Sequence, residues 1–329
     1  MYKLVTISCY FGKWPEHFPE FLQSVALNPT IDFIFVTDCD IDNLPSNAKS
    51  HKCSFDELRS RFQKMFDFPI VLDRPYKLCD YKPIWGLAFP EYIQDYDFWG
   101  YCDIDLFFGD IRKFLTDEIL GQYDKIYKLG HLTYYRNTPE NNLRYKLNGG
   151  VLYRDAFTTK EICAFDEIAG MQNIFDKHGF STYKSRDYAD ITSMKVRFTL
   201  SYFQIPEEIK EINNYDKQVF YWENGRVYRS FLKNDHIDVQ EFIYIHFPKR
   251  TMTRNNLPIS TTSFFVTNKG LFPKNGVVTI EDFDRYNAHE PIPEFARSIT
   301  CRYRSLKSWY KYYLKIIIRK FYRLIKVRA

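Results

Sequence analysis

The stretch "YCDIDLFFGD", residues 101–110, sets Asp103 and Asp105 one residue apart at the end of an apolar run. Carboxylates this close repel unless something positive lies between them. Three arrangements meet that need: a divalent cation, a buried Lys or Arg, or a shared proton. If the run continues as a strand through both acids, residues two apart project to the same side and the carboxylates converge on one point. A second acidic pair, Asp187 and Asp190 in "SRDYAD" (185–190), has i, i+3 spacing. That spacing places both on one face of a helix, and the sequence predicts a helix near 188–198.

Elements that must position these acids follow from the apolar periodicity. "KLVTISCY" (3–10) and "DFIFVTD" (32–38) are short β-branched and aromatic runs separated by enough chain for a helix, which predicts a parallel βαβ unit. "SFDELRSRFQKMF" (54–66) opens with Ser54 and Glu57 in capping-box register and repeats its apolar residues at helical spacing. A further helix is predicted from Asp80 toward Ile93, with Pro83 in its first turn. Strands follow at "DFWGYCDID", "DKIYKL" (124–129) and "GGVLYRD" (149–155), and a long helical region runs to about Gly179. "KQVFYWENGRVYRSF" (217–231) reads as a hairpin turning at Asn224 and Gly225, and "EFIYIHF" (241–247) as one more strand. An open α/β sheet binds ligands at the carboxyl ends of its strands. Those ends are Ser8, Cys9, Tyr10 and Phe11, then Asp38, then Asp103 and Asp105, with "LNGG" (147–150) and "HFPKR" (246–250) at the later strands.

Composition narrows the class. The 329 residues are 45% hydrophobic and 26% charged, ordinary for a globular enzyme, but 19% aromatic, which suits either ring-lined sugar sites or a Phe-rich core. Seven scattered cysteines without a C-x-x-C pair argue against a disulfide scaffold or a zinc ribbon and fit a reducing cytoplasm. The N-terminus enters an apolar strand without a basic leader, and no apolar run reaches about 18 residues, so neither a secretory signal nor a membrane span is expected. The final 33 residues hold eleven Lys and Arg and no acid; against a whole-chain charge of +5, the preceding body is net acidic. A basic charge confined to one tail does not fit nucleic-acid binding.

Taken in order, "TISCYFG", the acid closing the second strand, "CDYKPIWG", the aromatic-flanked D-x-D, "LNGG" and "HFPK" resemble nucleotide-sugar glycosyltransferases of the GT-A fold, over roughly residues 1–250. The bacterial enzymes that build capsular or lipopolysaccharide chains are the more similar group. The resemblance implies a mixed, mostly parallel sheet flanked by helices, and a hexosyltransferase that moves a sugar from a nucleotide donor, a UDP-sugar foremost, to a hydroxyl of a growing, lipid-linked glycan. It implies that Asp103, Asp105 and His246 ligate Mn²⁺ or Mg²⁺, two carboxylates and an imidazole suiting Mn²⁺ somewhat better. It also implies that Lys249 reaches the phosphates, that Asp80 and Lys82 meet ribose and diphosphate, and that Asp38 meets the nucleoside. Ser8, Tyr10 and Phe11 would line the base site, and Asn148, Gly149 and Gly150 would admit the donor sugar closely. Asp187 and Asp190 would hold donor hydroxyls or act on the acceptor. Two other classes use similar letters: a haloacid-dehalogenase-type phosphatase with a D-x-D nucleophile, whose motif normally ends the first strand, and a non-catalytic sugar- or membrane-binding module.

Residues 1–299 are expected to form the catalytic domain and 300–329 a basic amphipathic helix. On a helical wheel Lys307, Lys311, Lys315, Arg319, Arg323 and Lys326 span an arc of roughly 160°, opposite Leu306, Trp309, Tyr310, Tyr313, Ile317, Phe321 and Leu324. Such a helix lies in the headgroup plane of an anionic membrane, each cation contributing about 1 kcal/mol near the surface. The expected location is therefore the inner face of the cell membrane, peripherally bound. Cutting the chain after Ile299 is expected to abolish salt-sensitive sedimentation with anionic liposomes while leaving donor hydrolysis largely unchanged.

Overall fold

A computed structural model of the protein describes residues 1–201, 213–258 and 261–287. The predicted tail helix lies outside the described residues. The first two apolar runs become β1 (Leu4–Tyr10) and β2 (Ile31–Thr37), parallel neighbours paired from Leu4↔Ile31 to Tyr10↔Thr37. Helix α1 (Phe18–Ala26) connects them, β3 (Ala48–Lys52) adds a parallel strand beyond β2, and α2 (Phe55–Gln63) follows. Both faces of β2 are covered: Phe33 and Phe35 pack with Phe18 and Phe21 of α1, Ile34 and Val36 with Leu58 and Phe62 of α2. Burial on both sides is why these strands read as unbroken apolar runs. The capping box of α2 forms: Glu57 N–H donates to Ser54 Oγ, and Ser54 N–H donates to the Glu57 carboxylate at 2.7 Å.

Strand β4 (Phe98–Cys102) pairs parallel with β1 on its other side, so the winding of the sheet reverses between β1 and β4. The crevice at the carboxyl ends of two such strands is the ligand position of an open α/β sheet. β4 stops at Cys102, and the D-x-D occupies the bend into β5 (Leu106–Phe108) instead of prolonging the strand. β6 (Lys125–Ile126), β7 (Leu132–Arg136) and β8 (Thr182–Tyr183) complete a sheet of order β3-β2-β1-β4-β7-β6-β8, in which β7 alone runs antiparallel to its neighbours. The fold is thus mixed α/β with a mostly parallel central sheet flanked by helices.

After β9 (Ala189–Asp190), the predicted hairpin forms from β10 (Gln218–Glu223) and β11 (Arg226–Lys233), with Asn224 and Gly225 at φ 49° and 79° in a two-residue turn. The run predicted as one strand breaks at Ile243 into the end of β12 (His236–Phe242) and a separate β13 (Tyr244–His246). β14 (Ser263–Thr267) and β15 (Gly270–Pro273) close a five-stranded antiparallel sheet, β12-β11-β10-β14-β15. β13 turns away from it and joins a small sheet of order β5-β13-β9. One apolar core runs from Leu4 and Phe33 through Phe107 and Ile245 to Trp222 and Phe264, so the small sheet is wedged between the two larger ones.

Several local expectations are corrected. "GGVLYRD" is no strand: Gly149 sits at φ 145°, Gly150 lies where a Cβ would be 2.4 Å from the Gly170 carbonyl, and a helix begins at Tyr153. This backbone packs on the segment Ile168–Gln172, with Val151 N–H donating to the Ala169 carbonyl at 2.7 Å, and has no strand edge beside it. The helix predicted near 188–198 is absent because Ala189 and Asp190 pair with β13, a tertiary contact that outweighs local periodicity. The helix predicted from Asp80 to Ile93 forms in pieces, 3₁₀ over Pro75–Ile84, α over Trp85–Ala88 and 3₁₀ again over Pro90–Tyr92, since Pro83 and Pro90 lack the donors a continuous α-helix uses. Among the described residues no helix is long and apolar enough to cross a membrane, and Cys9, Cys39, Cys53, Cys79 and Cys102 are free thiols.

Gly100, in the strand that delivers the D-x-D, is the tightest point of the sheet: a Cβ there would lie 2.3 Å from the Thr133 carbonyl and 2.5 Å from the Tyr134 ring. Gly100→Ala is expected to lose about 1–3 kcal/mol of stability in urea denaturation, the usual cost of overpacking.

Candidate metal centre

Two strand pairings bring the acids to one place. In the small sheet His246 of β13 lies opposite Leu106 of β5 on one side and Asp190 of β9 on the other. Phe247 N–H donates to the Asp105 carbonyl at 3.0 Å, which ties the end of β13 to the D-x-D bend. In the central sheet Cys102 pairs with Leu132, and Asp103 N–H donates to the His131 carbonyl at 3.0 Å. Asp103, Asp105 and His246 consequently offer ligand atoms all within 4.8 Å of one another.

His246 is oriented from both sides. Its Nδ1 lies 2.8 Å from Asp190 Oδ1 and its Nε2 3.5 Å from Asp105 Oδ1. Burial disfavours the imidazolium, but Asp105 and Asp190 overcome it and raise the His246 pKa to about 10. Burial likewise opposes the Asp105 carboxylate, yet the adjacent His246 holds its pKa below the usual range. Asp190 is therefore the carboxylate that leaves Nε2 facing the D-x-D, as outer carboxylates do for metal-bound imidazoles. An incoming cation must displace the imidazole proton, so binding releases it. Two carboxylates and one imidazole form a donor set that fits Mn²⁺ or Mg²⁺.

A second trio, His131, Asp190 and His246, is equally compact. It does not make a second ion site. The two imidazoles are stacked, 4.3 Å between centroids and 23° between planes, and lone pairs in nearly parallel ring planes cannot meet at one ion. His131 is instead a neutral slab: burial lowers its pKa well below the usual histidine value, His246 and Lys82 add to that, and its Nδ1 shares a 2.7 Å hydrogen bond with the Tyr244 hydroxyl.

The positive charge nearest the D-x-D is Lys82. Its ammonium lies 2.7 Å from Asp103 Oδ1 and 3.2 Å from Asp166 Oδ2, and donates to the Gly130 carbonyl at 2.8 Å. Burial works against this charge, but Asp103 and then Asp166 outweigh it and raise the Lys82 pKa. With only 5% of its side chain exposed, Lys82 faces these acids and cannot serve as the free diphosphate contact expected from sequence. Asp80 is corrected too: fully buried, it pairs with Lys77 at 2.6 Å and accepts from the N–H groups of Cys163 and Phe165. Ser8 is buried with its hydroxyl on the Cys102 carbonyl, and Phe11 is packed on Phe55 inside the core, so neither faces a ligand. Gly149 and Gly150 serve helix packing, while Asn148 accepts from Lys177. Asp187 is not on a helical face with Asp190; it accepts from the hydroxyls of Tyr183 and Ser185.

Tyr10 and Asp38 remain at the strand ends. Tyr10 stacks on Trp14 at 4.7 Å, and exposed Asp38 accepts from Gly12 N–H at 3.0 Å. Lys249 is exposed in the turn three residues beyond His246, at φ 59°. Sequence reasoning missed His131, Asp166 and Tyr76, the last 67% exposed, its pKa raised by desolvation first and then by Cys79, Asp103 and Asp105 nearby. His131 is revealed by the pairing of β4 with β7, and Asp166 by the packing of its loop against Gly130 and Lys82.

Asp190→Asn keeps the shape of the side chain and removes the charge that orients His246. It is expected to weaken Mn²⁺ binding about 10–100-fold, read by titration calorimetry, with little change in melting temperature.

No curated protein matches the chain. Among solved structures, the galactosyltransferase LgtC in complex with donor and acceptor sugar analogs is similar at 16% identity and a TM-score of 0.24, over 38% of this chain and 46% of that one. The chain thus spans about half the length of that structure. Over residues 6–275 it matches a family of unknown function, DUF6625, and it belongs to that family.

Proposed function

We propose that the protein is a metal-dependent glycosyltransferase of GT-A type that moves a hexose from a nucleotide sugar, a UDP-sugar foremost, to a hydroxyl of a growing surface glycan. The observation that carries this reading is the convergence of Asp103, Asp105 and His246 beside the β1/β4 crevice, where an open α/β sheet receives its ligand. Mn²⁺ or Mg²⁺ held there supplies Lewis-acid stabilisation of a departing diphosphate. The chain's own residues do the rest: Asp190 fixes the ring of His246, Lys82 fixes one oxygen of Asp103, and the β1 and β2 exits present Tyr10 and Asp38 to the nucleoside. Exposed Tyr76 offers an aromatic face at the rim, and Lys249 a mobile point charge for phosphate. In the same proposal the acceptor is lipid-linked, and the basic tail beyond residue 299 docks the catalytic domain on the cytoplasmic face of an anionic membrane.

Asp103→Asn and Asp105→Asn are each expected to lower transfer about a hundredfold to a thousandfold while the fold is kept. The measurement is release of nucleoside diphosphate from a panel of nucleotide sugars with Mn²⁺, alongside melting temperatures with UDP, GDP, CDP and TDP, since a ligand of the folded state raises stability. Near wild-type turnover by either variant at saturating Mn²⁺ would remove the metal assignment. Release of inorganic phosphate without sugar transfer would indicate a phosphatase.

A further inference from the structure

We propose that Lys82 is a built-in counter-ion of the cation site, one that keeps a free divalent ion weakly bound until a diphosphate arrives with it; this rests on the transferase reading above. Lys82 is 4% exposed. An ammonium has three N–H donors, and here three acceptors surround it: Asp103 Oδ1 at 2.7 Å, Asp166 Oδ2 at 3.2 Å and the Gly130 carbonyl at 2.8 Å. The position is enforced by packing. Asp166 sits so close to Gly130 that a Cβ there would be 2.1 Å from its Oδ2. Swinging Lys82 out toward a substrate would strip two buried acceptors, Asp166 Oδ2 and the Gly130 carbonyl, of the donor they share.

The consequence falls on Asp103. One of its oxygens is committed to Lys82, which leaves the other for a metal ion and makes Asp103 a one-oxygen ligand. The same ammonium repels any cation approaching that carboxylate, and this repulsion is strong because the ammonium is shielded from water. A free divalent ion therefore meets an Asp103 carboxylate whose charge is already offset by Lys82. A nucleoside diphosphate brings the missing negative charge, so ion and nucleotide stabilise each other's binding, a coupling that must be reciprocal.

Mn²⁺ binding to the full chain is measured by electron paramagnetic resonance, with and without UDP, for wild type, Lys82→Gln and Lys82→Met/Asp166→Asn. The double variant removes the ammonium together with the acid it would strand. Wild type is expected to bind free Mn²⁺ at least about tenfold more weakly than Mn²⁺ with UDP. In the folded variants free Mn²⁺ should bind about tenfold more tightly, and the gain from UDP should shrink by a similar factor. Unchanged or weaker binding of free Mn²⁺ by a folded variant overturns the role of Lys82 alone. Should neither variant fold, the wild type decides: equal Mn²⁺ affinity with and without UDP overturns it. Wild type that binds UDP in no condition overturns the transferase reading itself.

Discussion

Asp103 and Asp105 can share one end of a buried strand only if positive charge meets them, and the protein supplies it from two directions. Lys82 approaches Asp103 from the 3₁₀ segment Pro75–Ile84, and His246 approaches Asp105 from the small sheet. Each cation is itself held by a further acid, Asp166 for Lys82 and Asp190 for His246. Single ions buried at such depth would be expensive; a cation set between two carboxyl groups is tolerable, even where burial pushes the pKa of one of them, Asp166, up to about 8. The arrangement also divides labour. His246 can surrender its proton to become a ligand, whereas Lys82, pinned by three acceptors, stays a cation.

The D-x-D bend depends on this compensation, and the compensation depends on strand register. A slip of one residue between β5 and β13 would turn His246 to the opposite face of the small sheet. Register is held by Phe107 and Tyr244 in the common core, by the pairing of β13 with Ala189 and Asp190 on its other side, and by the hydrogen bond from Trp222 to the Phe108 carbonyl at 2.8 Å, which fixes β5. The five-stranded sheet thereby helps to set the position of His246, a candidate ligand. Gly109 shows how closely the layers meet: a Cβ there would lie 2.7 Å from the Phe242 carbonyl.

Much of this was legible where the information is local. The capping box at Ser54, the Asn224–Gly225 hairpin and the first two strands follow from signals within about ten residues, and the structure forms each of them. The D-x-D stood out for the same reason. Asp190 stood out as half of an acidic pair, but its setting did not, because its partner His246 is 56 residues away and the i, i+3 spacing suggested a helix that pairing with β13 prevents. Lys82 and Asp80 were seen as ligand contacts because a short sequence cannot say which acid faces which base. Burial decides that: Asp80 and Lys77 satisfy each other inside the core, and Lys82 turns inward to Asp103 and Asp166. The D-x-D alone is compatible with a cation, a buried lysine or arginine, or a shared proton; the structure sets Lys82 beside Asp103 and His246 beside Asp105.

The aromatic excess has its account in the same place. Trp85, Trp99, Trp222, Tyr81, Tyr101, Tyr134, Tyr188 and Tyr244 are all fully buried, so most of the rings build core and do not line a sugar site. Around the charges they act as a wall against water. Tyr101 lies under the Lys82 ammonium at 5.6 Å, and Tyr188 stacks on Tyr244 at 5.2 Å beside His131. Rings of this kind give the interior a low dielectric while the hydroxyl of Tyr244 still reaches a polar partner. Charge interactions are strengthened on the walled side and screened only where Asp103 and Asp105 open to solvent, about a third exposed. A ligand entering from that side therefore meets carboxylates whose opposite flank is already committed to Lys82 and His246.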